Sequence, residues 1–305
     1  MYYTDLGTSV GHTPLVELSS PHPEAGVRLL AKLEGLNSGG SASIKDRIAL
    51  YMIDRAEREG RLKPGNILLE ATSGNTGIAL AWAGKMKGYD VTITMPENMS
   101  MERQSLIRLF GAELILTPAS GGVTESINKA AALAAGDSRY FLTEQFANPA
   151  NPLTHYETTA VEILADFPGE KLDYFICGIG TGGTITGTGR RLREAFPGIK
   201  IIGVEPPPDD TIQGLRCLAN YLPPVMDITL LSRRIQVTSR QAEQGTLDLL
   251  DNEGIFAGTS SGAVYHAARQ IAREAADSNL VMILPDGGWK YLSMDFWARR
   301  RPSEG

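Results

Sequence analysis

Short apolar runs alternate with longer amphipathic patterns along almost all of this 305-residue chain. Runs suited to strands lie at 28–32, 67–69, 91–95, 113–116, 174–177, 201–204, 235–237 and 281–284. Helical periodicity fills the stretches between, at 44–59, 76–87, 101–110, 124–135, 154–166, 183–194, 240–251 and 262–275. Strand, helix and strand in succession join one sheet through right-handed crossovers, so this pattern implies parallel sheet. The units are unevenly spaced, and no repeat of fixed period is present. Two open, twisted, mostly parallel sheets flanked by helices therefore suit the chain better than a closed barrel of eight equal units. Two irregular stretches interrupt the alternation. Phe146-Ala147-Asn148-Pro149-Ala150-Asn151-Pro152 reads as a linker, and a long loop runs from Pro206-Pro207-Pro208-Asp209-Asp210 to Pro223-Pro224. Long irregular loops inside compact domains are often functional.

Three short motifs do more than punctuate. Ser43-Ile44-Lys45-Asp46-Arg47 places an amine in the first turn of a helix. Ser43 and Asp46 form a capping-box-like pair, which explains them without any chemistry. Lys45 is different, because the positive end of the helix dipole favours an acidic residue there and disfavours a protonated amine. A lysine that gives up its proton easily is a nucleophile for carbonyl compounds. Taken alone, it is more often a surface cation. Thr72-Ser73-Gly74-Asn75-Thr76-Gly77 and Gly180-Thr181-Gly182-Gly183-Thr184 each follow an apolar strand and open a helix. Such turns expose backbone N–H groups to a carboxylate or a phosphate, although an ordinary helix cap would use the same residues. Gly178-Ile179-Gly180-Thr181-Gly182-Gly183 also satisfies G-x-G-x-x-G, with Glu205 at about the spacing of a dinucleotide-binding unit. That alternative leaves Lys45 and the 72–77 turn unused. A ligand with an aldehyde and a phosphate uses all three motifs, as pyridoxal phosphate does.

With these motifs in this order, the chain resembles the cysteine synthases of the tryptophan-synthase-β class, the fold type II pyridoxal phosphate enzymes, and is most similar to their B-type branch. The likeness runs from Gly11-His12-Thr13-Pro14-Leu15-Val16 to Pro285-Asp286-Gly287-Gly288-Trp289-Lys290-Tyr291. It implies that Lys45 is the Schiff-base lysine, which then removes the substrate Cα proton and returns it. It implies Gly180, Thr181, Gly182, Gly183 and Thr184 around the cofactor phosphate, Asn75 on the ring hydroxyl oxygen, and Ser260 facing the pyridine nitrogen. Thr72, Ser73, Gly74, Asn75 and Thr76, with Gln145, would hold the substrate α-carboxylate. A neutral hydroxyl at the nitrogen makes the ring a weaker electron sink than a carboxylate would, which suits elimination and replacement at Cβ. The implied reaction forms cysteine from O-acetyl-L-serine or O-phospho-L-serine. Its sulfur donor is sulfide, thiosulfate or the thiocarboxylate of a small carrier protein. The resemblance also implies a mobile small domain over 41–145, a large domain over 1–40 and 146–305, and a homodimer. Cystathionine β-synthases, diaminopropionate synthases and serine or threonine dehydratases share the fold and stay as alternatives.

Two features depart from the commonest cysteine synthase pattern. Between Asn37 and Lys45 lie two more residues than in the usual Asn-Pro-Gly-Gly-Ser-Val-Lys arrangement, so the loop before the lysine is expected to change shape. Ile212-Gln213-Gly214-Leu215-Arg216 stands where A-type enzymes carry a glycine-rich loop. A guanidinium holds a phosphate bidentately, so Arg216 points to O-phosphoserine as substrate. A purely structural arginine is the alternative.

The composition is compatible with such an enzyme. A net charge of −6 and no basic stripe argue against a nucleic-acid partner. No apolar run approaches the ~18 residues that span a bilayer, and no signal peptide is visible at Met1-Tyr2-Tyr3-Thr4-Asp5. Two cysteines, Cys177 and Cys217, are too few for a disulfide framework, so a cytoplasmic enzyme is expected. His12, His22, His155 and His266 are scattered, and no metal site is expected. Trp82 and Trp297 read as packing residues, Trp289 as a residue near an entrance, and Arg299-Arg300-Arg301 as a solvated run.

Overall fold

The structure, a computed structural model, describes residues 2–19 and 26–299; His22, Arg300 and Arg301 lie outside the described residues. One sheet has six strands in the order β1 (Leu15–Glu17), β2 (Arg28–Leu33), β10 (Asn279–Leu284), β7 (Tyr174–Gly178), β8 (Lys200–Glu205) and β9 (Arg233–Gln236). Only β1 runs antiparallel to its neighbour. The other sheet orders β5 (Glu113–Thr117), β4 (Asp90–Pro96), β3 (Ile67–Ala71) and β6 (Tyr140–Leu142), all parallel. The helices are α1 (Lys45–Arg58), α2 (Asn75–Lys87), α3 (Met101–Leu109), α4 (Gly122–Gly136), α5 (Ala150–Glu157), α6 (Thr159–Asp166), α7 (Gly183–Ala195), α8 (Ser239–Glu253) and α9 (Thr259–Glu274). This is the architecture of two open, mostly parallel sheets flanked by helices that the sequence pattern implied.

Alternate residues of the central strands feed two cores, as the period of two along a strand requires. Leu29, Ile176 and Met282 meet Val264 and Ile271 of α9 on one face. Leu30, Phe175 and Val281 meet Ile185 and Leu192 of α7 on the other. A third core sets Leu68, Val91 and Ile93 against Ile53 of α1 and Ile78 of α2. Burial on both faces explains why these strands read as continuous apolar runs.

The sequence reading needs three corrections. Strands β1 and β6 were not expected; at three residues each they are too short to show a period and exist by pairing with β2 and β3. The single helix expected over 154–166 is two, broken at Thr158, whose φ of −121° and ψ of −71° leave the helical region. The supposed linker gives up Ala150, Asn151 and Pro152 to α5, where a proline in the first turn forfeits no hydrogen bond.

Strands β3, β7 and β10 all end toward the same place. The 72–77 turn leaves β3, the 178–184 turn leaves β7, and Pro285 follows β10, whose carbonyl accepts the Ile44 N–H at 2.9 Å. Open parallel sheets bind ligands at such carboxyl ends.

Candidate active site

Helix α1 opens on Lys45 itself. The Ser43 hydroxyl accepts the Lys45 N–H at 3.1 Å, and the Asp46 carboxylate accepts the N–H groups of Ser41 at 2.9 Å and Ser43 at 3.1 Å. Half of the expected capping box is thus formed: Asp46 reaches back as anticipated, while Ser43 caps the lysine. Burial pushes the Asp46 carboxyl up to about 6. Beneath the helix, buried Arg47 donates to Glu34 at 2.7 Å and to Glu162 at 2.6 Å, and Lys32 meets Glu162 at 2.8 Å. Burial alone would raise Glu162, but the Arg47 hydrogen bond and the charges of Arg47 and Lys32 hold it at about 2. The first turn of α1 is therefore fixed from both sides. Burial lowers the Lys45 pKa, opposed in part by Cys177, Asp286 and Glu34. The shift is toward the neutral amine that attacks a carbonyl. Burial also pushes the Cys177 thiol up to about 12, so it faces the lysine as an inert thiol.

A cavity of about 440 Å³ brings the predicted residues together. Lys45, Thr72, Ser73, Asn75, Thr76, Gln145, Gly180, Thr181, Gly182, Thr184, Arg216 and Ser260 all line it. Gly74 and Gly183 do not line it; they let neighbouring groups approach. A Cβ on Gly74, at φ +153°, would stand 2.2 Å from Arg103 Cδ, and one on Gly183 would stand 1.9 Å from Asn151 Oδ1. A larger cleft of about 760 Å³ lies elsewhere, between Arg55, Pro152, Thr186 and Met226, and contains none of the predicted residues.

The 180–184 turn presents bare backbone at the start of α7, whose first N–H groups have no intrahelical acceptor and are suited to an anion. A Cβ on Gly180 would lie 2.6 Å from the Gly214 carbonyl oxygen, so the turn tolerates nothing larger. Asn151 donates to the Thr181 hydroxyl at 3.0 Å. His155, which the sequence reading examined only as a metal ligand, bonds Thr184 Oγ1 through Nε2 at 3.2 Å and Thr159 Oγ1 through Nδ1 at 3.0 Å. Burial, then the charges of Lys45 and Arg47, hold its pKa well below the usual value, so it is a neutral ring that orients Thr184. The visible signal was the four-residue spacing of His155 and Thr159, which stand on either side of the break at Thr158.

At the 72–77 turn, Thr76 donates its hydroxyl proton to Gln145 Oε1 at 2.7 Å. Gln145 Nε2 donates to Glu70 at 3.4 Å and to the Ala71 carbonyl at 3.3 Å, both long contacts. Both Nε2 protons are thereby engaged, each at long distance, and an incoming anion would draw one of them away from Glu70 or Ala71. Glu70 also accepts the Thr143 hydroxyl at 2.5 Å and the Gln145 backbone N–H at 3.1 Å. Burial pushes Glu70 up to about 7, above its usual 4.5. A carboxyl raised in the folded state stabilises below its unfolded pKa, and that contribution is lost as pH rises toward the folded value. Glu70→Gln should therefore remove a stability slope of up to about 1.4 kcal/mol per pH unit between about 4.5 and 7, read from unfolding midpoints across that window.

The Asn75 amide is oriented by a residue that sequence reading used only to mark the edge of the likeness. Asn75 Nδ2 donates to Asp286 at 2.8 Å, and Tyr291 donates to the same oxygen at 2.8 Å. Asn75 Oδ1 is buried without a hydrogen-bond partner, which fits a ring hydroxyl beside it. Ser260, buried in the first turn of α9, lies under the 212–216 loop at Gly214, whose φ is +93°. Arg216 is half-buried, with its guanidinium 4.4 Å from the Phe146 ring and 5.6 Å from the Tyr221 ring, and no ion pair among the described residues. Burial lowers its pKa. Trp289 stands apart from the cavity, 63% exposed and edge-on to Phe256.

Glu205 is already engaged. It accepts the Leu218 N–H at 2.7 Å and pairs with Arg234 at 3.1 Å. No group of metal-ligating side chains occurs among the described residues.

The family model of the pyridoxal-phosphate-dependent enzymes matches residues 6–286, a span that holds every turn around the cavity. The chain belongs to that family. In this pyridoxal-phosphate-dependent enzyme the Glu205 of the G-x-G-x-x-G pattern is committed to Leu218 and Arg234. A cysteine synthase of Staphylococcus aureus strain Mu50 is 41% identical over 300 residues, 95% of each chain. Among solved structures, an O-ureido-L-serine synthase superposes with a TM-score of 0.92 at 38% identity, covering 100% of this chain and 98% of that one. A cysteine synthase from Entamoeba histolytica gives a TM-score of 0.91 at 37% identity, covering 100% and 93%.

Proposed function

We propose that this enzyme makes L-cysteine by β-replacement, from an O-activated L-serine and a sulfur donor, and that it is a cysteine synthase of the B-type. The observation that carries the reading is one cavity lined by the half-buried Lys45, the 72–76 turn and the 180–184 turn together. Pyridoxal phosphate, when bound, supplies an electron sink that makes the substrate Cα proton removable and its Cβ substituent a leaving group. Lys45 tethers the cofactor and, once displaced by the substrate amine, carries the Cα proton on Nζ. The 180–184 turn, backed by His155, grips the phosphate. Asn75, oriented by Asp286, meets the ring hydroxyl, and Ser260 meets the ring nitrogen. The 72–76 turn and Gln145 bind the α-carboxylate through N–H and hydroxyl donors. Closure of a small domain over 41–145 onto a large domain of 1–40 and 146–305 would then exclude water from the cavity. Borohydride reduction and peptide mapping, paired with an assay of cysteine formed from sulfide, test the reading. A pyridoxyl group at any position other than 45 would overturn it.

The half-buried guanidinium of Arg216, without a carboxylate partner among the described residues, favours O-phosphoserine over O-acetylserine. Arg216→Ala should raise KM for O-phosphoserine about ten- to a hundredfold, the worth of a charged hydrogen bond, and change KM for O-acetylserine by less than about threefold. Equal losses on both donors would return Arg216 to a structural role. Sulfide is the simplest sulfur donor for this cavity; thiosulfate and a thiocarboxylate carrier protein belong in the same assay panel. The proposal includes a cytoplasmic homodimer, which light scattering tests as twice the mass of the chain. The two buried free cysteines suit a reducing compartment.

A further inference from the structure

The loop from Asn37 to Lys45 has to house two more residues than the usual arrangement of this family, and its contacts show how it does so. Gly39 lies on Asp46, where a Cβ would stand 2.4 Å from Cγ, and Gly40 lies on Trp82, where a Cβ would stand 2.5 Å from that side chain. Both glycines are thus held close to their neighbours, and the loop goes on through Ser41 and Ala42 to Ser43. Ala42 takes a φ of +43°, a region that residues with a side chain seldom enter. Ser41 gives its N–H to Asp46 at 2.9 Å and shares a hydrogen bond with the Ser43 hydroxyl at 2.6 Å. The carbonyls of both Ser41 and Ala42 accept from the same donor, Lys290 Nζ, at 2.7 and 3.4 Å.

Lys290 is 2% exposed, and its one ion-pair partner among the described residues, Asp286, stands at 3.8 Å, farther than either carbonyl. A buried ammonium is costly unless its donors are used, and here two of the three are turned on the loop. The turn that carries Lys290, Gly288–Tyr291, follows directly on Asp286, which orients Asn75. One short segment therefore contacts the loop before the lysine and the asparagine at the ring.

We propose that Lys290 is a positioning residue: it clamps the carbonyls of Ser41 and Ala42 and so sets where Lys45 stands in the cavity. The inference rests on the reading of Lys45 as the lysine that tethers the cofactor. Lys290→Met in the holoenzyme should reduce kcat about ten- to a hundredfold, the cost of a misplaced reacting group, with KM changed less than about twofold. The fraction of protein fixed at Lys45 by borohydride, at saturating pyridoxal phosphate, should fall with it. Lys290→Arg keeps the cation and should restore both. Deleting Ser41 and Ala42 gives the loop its usual length, and Lys290→Met should then cause no further loss.

A Lys290→Met enzyme with wild-type adduct fraction, kcat and KM, and only a lower Tm, would overturn the proposal. So would a Lys290→Met effect of equal size in the shortened chain. If the shortened chain does not fold, the contrast of Met with Arg in the full chain decides: failure of arginine to restore the adduct fraction overturns it. Absence of the adduct from wild-type protein would instead remove the reading of Lys45.

Discussion

Lys45→Ala is expected to leave a folded protein that forms cysteine at least about 10²–10⁴-fold more slowly, the contribution of a positioned proton-transfer group alone. The alanine side chain neither tethers the cofactor nor carries a proton, so two roles are lost in one substitution. Bound cofactor should persist, because the backbone N–H groups of the 180–184 turn proposed for the phosphate are left in place by the substitution. Equilibrium dialysis of pyridoxal phosphate against the variant, run beside the cysteine assay, separates the two effects. Retained turnover near the wild-type rate would require another base, and the buried Cys177 thiol, pushed up to about 12, is poorly suited to that role.

The largest stability loss is expected at Arg47→Met. The Arg47 guanidinium is almost fully buried between Glu34 and Glu162, and Glu34 has no exposure at all. Removing the cation leaves those carboxylates desolvated with less compensation, which costs about 3–5 kcal/mol for a broken buried pair. Denaturant unfolding should show this as a lower midpoint at unchanged slope. A second change, Glu34→Gln, should recover part of the loss, since the two side chains act as one unit. The pH dependence has a definite sign. Glu162 is held at about 2, below its usual 4.5, so its contribution is present above about 4.5 and lost as pH falls toward 2. In Arg47→Met the folded Glu162 carboxyl moves back toward its usual value, so that acid-side loss should shrink. A variant as stable as wild type would mean that the network is worth no more than a surface ion pair.

Much of this was legible in the sequence. Each of the expected strands falls on an element of one of the two sheets, and the three motifs do converge on one cavity. Legibility came from local signals: an apolar run, a glycine turn, a helix start. What escaped detection is non-local. Arg47 meets Glu162 across 115 residues, and Asn75 meets Asp286 across 211. His155 reaches Thr184 across 29. No spacing rule connects such pairs, because the fold alone brings them together. Strand β6 escaped for a related reason, as three residues beside β3 become a strand only when β3 is there to pair with. Lys45 read alone is a surface cation; the two glycine turns and the family resemblance singled it out, and in the fold it lines the same cavity as those turns.

Strand β2 sits between β1 and β10, so residues near 30 wait for residues near 280 before their second edge is covered. During synthesis the early strand must emerge from the ribosome with that row of N–H and carbonyl groups open to other chains. Closure of the sheet and arrival of Asp286 and Lys290 are then one late event. A nascent chain cut short before β10 would lack both the central strand of its larger sheet and the means to finish its catalytic centre.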